Sequence, residues 1–145
     1  MKHNKNHTPL LLTLIFLDFF FIVASWLHYN TNLIPNDSFS ITKDFGYAEI
    51  AQYWKELAIA ALLFKAFQKT GDYIFIVWSL LFTYMLLDDS VRIHEVMGSV
   101  IDNQFFLTSS LPLNLRGQDF GELITITLIG SVFLLLFIKY FYKSK

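Results

Sequence analysis

The hydrophobic residues of this chain form four long runs that are separated by polar segments. The first run, about 9–29, and the last, about 121–142, each have the roughly 20 residues that a helix needs to cross a bilayer. The other two, about 47–68 and 73–97, contain more charged residues. This pattern predicts an all-α membrane protein, a single integral membrane domain folded as a bundle of four transmembrane helices.

The polar residues between the runs predict how these helices are connected. Gly71 suits the left-handed residue that ends a helix, and Asp72 suits the N-cap of the next, so the second and third helices should form a tight hairpin. The first connection, about 30–46, should be a loop. The last, about 101–117, should be a partly amphipathic loop lying along the membrane surface. Its apolar residues are Phe105, Phe106, Leu107, Leu111, Leu113 and Leu115.

The composition agrees with a chain that is solvated by lipid. Of 145 residues, 54% are hydrophobic and 16% are charged, against about 25% charged in an average soluble domain. The net charge of -1 gives no basic field, so no nucleic-acid partner is expected. The chain has no cysteine, which excludes disulfides, thiol chemistry and thiolate metal sites.

The basic residues predict the orientation in the membrane. Most of them lie in the two tails and in the hairpin between the second and third helices: Lys2, Lys5, Lys65, Lys69, Lys139, Lys143 and Lys145. The opposite side holds most of the acidic residues. Because positively charged segments stay in the cytoplasm, we expect both termini inside and a multi-pass protein of a bacterial cytoplasmic membrane.

Three helix ends on the predicted outer side carry clustered polar residues. In each cluster, polar residues recur three, four or seven positions apart, which places them on one helical face, except His94, which points elsewhere. The clusters are Glu49, Tyr53 and Glu56; Asp88, Arg92, His94 and Glu95; and Arg116, Asp119 and Glu122. Acids near apolar surroundings are costly unless they are paired or hydrated. Two interpretations stay open: a structural ion-pair network, with Arg92 as partner of Asp88 and Glu95, or a ligand-binding site.

A divalent metal ion such as zinc, manganese or iron is one candidate cofactor for these clusters, since carboxylates and imidazole bind such ions. The candidate metal ligands are Glu56, Asp88, His94, Glu95 and Glu122. However, His94 and Glu95 are adjacent and point about 100° apart on a continuous helix. Both could therefore reach one ion only if the helix ended there.

Asp18 lies near the middle of the first run. An acid within the membrane is rare and is expected to face the interior of the bundle. It is either a protonated group that is hydrogen-bonded to a neighbouring helix or a contact for a ligand or a proton relay.

Three functions remain compatible with these residues. The leading one is binding, with transport or sensing as extensions, of a cation or small polar ligand at the outer polar clusters. The alternative is a small membrane enzyme in which His94, Glu95 and Asp88 perform acid–base catalysis, with or without a metal. The third is an accessory or assembly subunit of a membrane complex, or a homo-oligomer, whose ion pairs are structural.

Overall fold

The computed structural model describes residues 8–105 and 116–143. These residues are almost entirely helical, and no strand occurs among them, which confirms the all-α prediction. The helices are α1 (Thr8–Asn30), α2 (Tyr47–Thr70), α3 (Tyr73–Val91), α4 (Ile93–Phe105) and α5 (Gly117–Phe141), with a short 3-10 helix at Asp37–Phe39. Of the predicted loop, about 101–117, residues 106–115 lie outside the described residues, whereas 101–105 belong to α4 and not to a loop.

Three helices of the described segments are long and apolar enough to cross a membrane. They contain the spans Leu11–Asn30, Tyr73–Val91 and Gly117–Phe141. The 24 residues of α2 would extend about 36 Å, which is long enough for a bilayer. Its charged residues lower its hydropathy, however, and they are Glu49, Lys55, Glu56, Lys65 and Lys69. The structure therefore supports an integral membrane protein with three candidate spans, and the fourth span stays a prediction.

The predicted hairpin between α2 and α3 is confirmed in its details. Gly71 has a positive φ of 69°, which a residue without a Cβ adopts at little cost. The Asp72 side chain accepts a hydrogen bond from the backbone N–H of Ile74 at 3.2 Å and so caps α3. Further along, the Ser79 hydroxyl donates to the carbonyl of Ala60 at 2.8 Å in a buried contact, which fixes the register of the two helices.

The prediction of one continuous helix over 73–97 is wrong at a single residue. Arg92 adopts the left-handed conformation (φ 58°, ψ 47°), which ends α3 at Val91, and α4 begins at Ile93. A non-glycine residue in this conformation costs roughly 1–2 kcal/mol, so the surrounding contacts have to compensate. The break changes which side chains meet, because residues before and after it no longer follow a common helical spacing.

The chain divides into two compact units, Met1–Trp54 and Lys55–Lys145. In the second unit, α5 packs against both α3 and α4. The contact of α4 with α5 is closest at Gly98 and Gly121, where a Cβ added to Gly121 would lie 2.9 Å from the Gly98 Cα. Only glycine at these two positions allows the backbones to approach this closely.

Polar and small residues occupy the interior of the second unit, whereas large apolar residues lie outside. Its buried side chains are Glu56, Ala60, Val77, Ser79, Asp88 and Thr125. By contrast, Leu128, Leu135 and Phe141 are each about 60% exposed or more. In water this distribution would be unfavourable, since large apolar side chains are those that folding normally buries. Lipid contact explains it, because hydrocarbon solvates apolar side chains and excludes polar ones.

Candidate functional site

The break at Arg92 brings Asp88 and His94 together. Asp88 lies in the last turn of α3, and its side chain is only 12% exposed. One carboxylate oxygen, Oδ1, accepts a hydrogen bond from the backbone N–H of His94 at 2.9 Å, and the other, Oδ2, lies 2.9 Å from the imidazole Nδ1. Asp88 thus satisfies an amide in the first turn of α4 and orients the His94 ring at the same time.

This arrangement determines the hydrogen-bonding role of the His94 ring. A carboxylate oxygen can only accept, so Nδ1 carries the hydrogen that it shares with Asp88. In the neutral ring, Nε2 is then an acceptor, and no group in the described segments bonds it. The His94 side chain is 24% exposed, so the ring is mostly covered but not sealed from its surroundings. The pair can therefore receive a proton or a hydrogen bond at Nε2.

A half-buried tyrosine, Tyr84, lies one helical turn before Asp88. The Tyr84 hydroxyl is inaccessible and forms no hydrogen bond within the described part of the chain. The carboxylates of Asp88 and Asp89 act on it electrostatically. Nothing in the sequence pattern indicates that the Tyr84 hydroxyl is buried one turn before Asp88.

The pairing of Asp88 with His94 was missed by the prediction for a geometric reason. On a continuous helix, residues six positions apart lie about 240° apart around the axis and point to different sides. The left-handed Arg92 removes that constraint. The predicted pairing of Arg92 with Glu95 is confirmed, because Arg92 Nη1 lies 3.6 Å from Glu95 Oε2. Each of the two side chains is more than one third exposed.

The start of α5 carries the third predicted cluster. Arg116 Nη2 lies 2.6 Å from Asp119 Oδ1, and the Arg116 backbone N–H donates to Asp119 Oδ2 at 3.2 Å. Hydrogen bonding to Asp119 raises the pKa of the Arg116 guanidinium, whose charge the carboxylate stabilises. Glu122 accepts from the Gln118 side chain at 2.9 Å. These contacts complete the first turn of the helix, where negative charge is favourable.

Glu49 and Tyr53 belong to the first unit and form their own contact. The Tyr53 hydroxyl donates to Glu49 Oε1 at 2.6 Å, as expected for residues four positions apart on one face. The backbone N–H of Phe45 also donates to Glu49 Oε2. Glu49 therefore connects the preceding loop to the first turn of α2, which is a structural role.

Glu56 and Asp18 have contrasting environments. Glu56 belongs to the second unit and is only 4% exposed. It lies one turn before Ala60, so the Ser79–Ala60 contact places it at about the height of Thr83 and Tyr84 on α3. Asp18 lies on an exposed face of α1. That Asp18 faces the interior of the bundle stays a prediction.

Comparison with models of known protein families, with curated proteins and with solved structures gives no match in any of the three.

The candidate metal ligands are not assembled around one point. Within residues 8–105 and 116–143, no three carboxylate or imidazole side chains are arranged to hold a metal ion. His94 contacts Asp88 through Nδ1, whereas Glu122 accepts from Gln118 at the start of a different helix. The metal hypothesis for Glu56, Asp88, His94, Glu95 and Glu122 is thus without support in the structure. The Asp88–His94 pair is the strongest chemical feature among the predicted residues.

Proposed function

We propose that this protein binds a small polar ligand or cation through the Asp88–His94 pair at the extracytoplasmic ends of its membrane helices. One observation carries the proposal: Asp88 uses both carboxylate oxygens on His94 and so presents the imidazole Nε2 as an acceptor. A histidine ring that is held by a buried carboxylate is suited to accepting protons and hydrogen bonds. The ligand would be a hydrogen-bond donor, such as an ammonium or hydroxyl compound, or the proton itself.

The surroundings of the pair favour a small ligand over a macromolecule. The His94 ring is mostly covered, so only a compact group can reach it. The carboxylate of Glu95 lies on the same first turn of α4 and is 41% exposed, which makes it available to a positively charged ligand. Transport or sensing would extend binding at this site and would require that the ligand reach deeper polar groups such as Glu56.

Nitrogen NMR of the histidine rings tests the proposal. The protein labelled with ¹⁵N-histidine is placed in nanodiscs, and His94→Gln identifies the His94 signals among the four histidines. We expect the tautomer with hydrogen on Nδ1, and a shift of the Nε2 signal when methylammonium is added. Asp88→Asn should change the tautomer and weaken the response, and Asp119→Asn is the control with an acid outside the pair.

Two results would contradict the proposal. One is a ring with hydrogen on Nε2, because Asp88 would then not orient it. The other is an Nε2 signal that methylammonium, sodium and a pH change all leave in place. A separate titration with zinc tests whether the ligand is a metal ion. In that case zinc should shift the His94 Nε2 signal, and the shift should require both His94 and Glu95.

The same pair favours membrane-enzyme function as a second candidate. A carboxylate-held imidazole with an accessible Nε2 is the arrangement of a general base. No hydroxyl of the described segments bonds Nε2, so the attacking group would be water. Hydrolysis of lipid-soluble esters should then disappear in His94→Gln, while helix content stays as in the wild type and the unfolding free energy falls by no more than about 1–2 kcal/mol. Equal turnover in the variant would refute the enzyme candidate.

The proposed topology has four spans with both termini in the cytoplasm, α2 being the fourth. It is supported by the uneven distribution of basic residues and by the Ser79–Ala60 contact, which holds α2 against apolar α3. The chain has no cysteine, so single substitutions can be labelled directly. Asp44→Cys and Asp102→Cys should react with an impermeant maleimide from outside, whereas Lys69→Cys and Lys143→Cys should react only after the membrane is opened. The reverse pattern would invert the topology.

A further inference from the structure

A polar cleft lies in the first unit, where α1 meets the loop that follows it. Its volume is about 280 Å³, and it is lined by His28, Tyr29, Asp37, Ser40, Thr42 and Lys43. At about 30 Å³ per water molecule, this space corresponds to roughly nine waters. It can hold a small charged group. None of these residues belongs to the polar clusters that the sequence pattern indicates.

Three hydroxyl groups form a ring on one side of the cleft. The Tyr29 oxygen lies 2.6 Å from Ser40 Oγ and 2.7 Å from Thr42 Oγ1, and these two lie 2.9 Å apart. A closed ring uses the single hydrogen of each hydroxyl, so the remaining capacity of the oxygens is to accept. Ser40 is 4% exposed, while Tyr29 and Thr42 are exposed. The accessible edge of the ring therefore suits a ligand with N–H donors.

The cleft also contains separate positive and negative groups. Asp37 lies 3.6 Å from His28 Nε2, and its side chain is 77% exposed. His28 is held from the other side, since its Nδ1 donates to the carbonyl of Ile34 at 2.8 Å. Lys43 lines the same cleft and forms no ion pair within the described residues. One carboxylate and one ammonium thus both remain available to a ligand.

The position of the cleft connects it to the membrane surface. His28 and Tyr29 are in the last turn of α1, at the end of the apolar span Leu11–Asn30. Twenty residues of helix extend about 30 Å, which matches the hydrocarbon thickness, so the cleft opens at the level of the lipid headgroups. The exposed rings of Trp26 and Tyr29 are the residue types that mark this level.

From this geometry we propose that the cleft binds the headgroup of a zwitterionic lipid with a primary ammonium, such as phosphatidylethanolamine. The ammonium donates to Asp37 and to the accessible oxygens of Tyr29 and Thr42. The phosphate contacts Lys43. This site is independent of the Asp88–His94 pair and lies in a different unit.

The chemistry of the lining distinguishes this ligand from its relatives. A purely anionic headgroup would engage Lys43 but would be repelled by Asp37 and would find no donors in the closed hydroxyl ring. A quaternary ammonium, as in phosphatidylcholine, carries the same charges but has no N–H to donate. We therefore expect this cleft to bind a headgroup with a primary ammonium more tightly than an anionic headgroup or one with a quaternary ammonium.

Native mass spectrometry of the full chain tests the proposal. The purified protein is equilibrated in mild detergent with equal amounts of phosphatidylethanolamine, phosphatidylcholine and phosphatidylglycerol. We expect roughly tenfold enrichment of bound phosphatidylethanolamine, the factor that one charge-assisted hydrogen bond supplies. Asp37→Asn, Lys43→Gln and Thr42→Val should each reduce it, whereas Thr42→Ser, which keeps the hydroxyl, should retain it.

The controls are Asp44→Asn, in the same loop, and Lys69→Gln, at the end of α2, and both should leave the enrichment unchanged. Thermal unfolding of each variant verifies that the protein is still folded. Equal retention of the three lipids, or enrichment that survives both Asp37→Asn and Lys43→Gln, would overturn the proposal. Binding of soluble phosphoethanolamine without enrichment of the lipid would overturn the lipid assignment, and inorganic phosphate alone should not bind.

Discussion

Replacing Gly121 with alanine should force α4 away from α5. The added Cβ would lie 2.9 Å from the Gly98 Cα and 3.0 Å from its carbonyl carbon, whereas an ordinary contact is 3.4–4 Å. Both contacted atoms are backbone, so no side chain can rotate to make room. The helices would have to separate by about 0.4–1 Å at this point.

The cost of this separation can be estimated from packing energetics. A radial gap of about 0.5–1 Å forfeits a quarter to a half of each neighbouring van der Waals contact. Forced insertion of a methyl group into a well-packed contact typically costs about 1–3 kcal/mol. We expect Gly121→Ala to lose that amount of unfolding free energy, and Gly98→Ala to behave similarly, since its Cβ would lie 2.9 Å from the Glu122 backbone N.

The assay is reversible unfolding in mixed micelles, followed by circular dichroism, with Gly130→Ala as the matched control. Gly130 lies on the same helix and has no atom within 4 Å of an added Cβ. Alanine there should be neutral or stabilising by up to about 1 kcal/mol, because it favours the helix. If Gly121→Ala were as stable as Gly130→Ala, the close contact of α4 and α5 would be wrong.

Three further predictions concern the helix ends and use the same unfolding assay. Asp72→Ala removes the cap on the Ile74 N–H and should cost about 1 kcal/mol, and an unchanged stability would show that the cap contributes nothing. Gly71→Ala should cost about 1–2 kcal/mol through its positive φ alone, since no atom lies within 4 Å, and a stabilised variant would contradict that conformation. Asp88→Asn should cost about 1–3 kcal/mol by weakening both bonds to His94, and a loss no larger than that of Asp119→Asn would argue against the pair.

The helices and the α2–α3 hairpin could be predicted because they depend on local signals. Apolar runs of sufficient length indicate helices, and the Gly71-Asp72 sequence contains the residue types that end one helix and begin the next. The contact of Glu49 with Tyr53 follows from their spacing of four on one helix. These features need no knowledge of how distant segments meet.

The Asp88–His94 pair and the hydroxyl ring could not be predicted because each depends on backbone geometry between elements. A left-handed arginine has no reliable signal in sequence, and Arg92 follows Asp88, Asp89 and Ser90 in what reads as an uninterrupted helix. Likewise, Tyr29 meets Ser40 and Thr42 only because the loop after α1 folds back on it. Helical spacing predicts which residues are neighbours on one helix. It does not predict which residues of a following loop fold back to contact that helix.

The polar interior of the second unit reverses the usual tolerance of a protein to mutation. In a soluble domain, the surface accepts most substitutions and the apolar core resists them. Here the outward residues, such as Leu128 and Leu135, can exchange with any side chain that lipid accepts, while Ser79, Asp88 and Gly121 have specific partners. Evolutionary drift should therefore accumulate among the leucines and phenylalanines, and the small and charged residues should identify distant relatives of this chain.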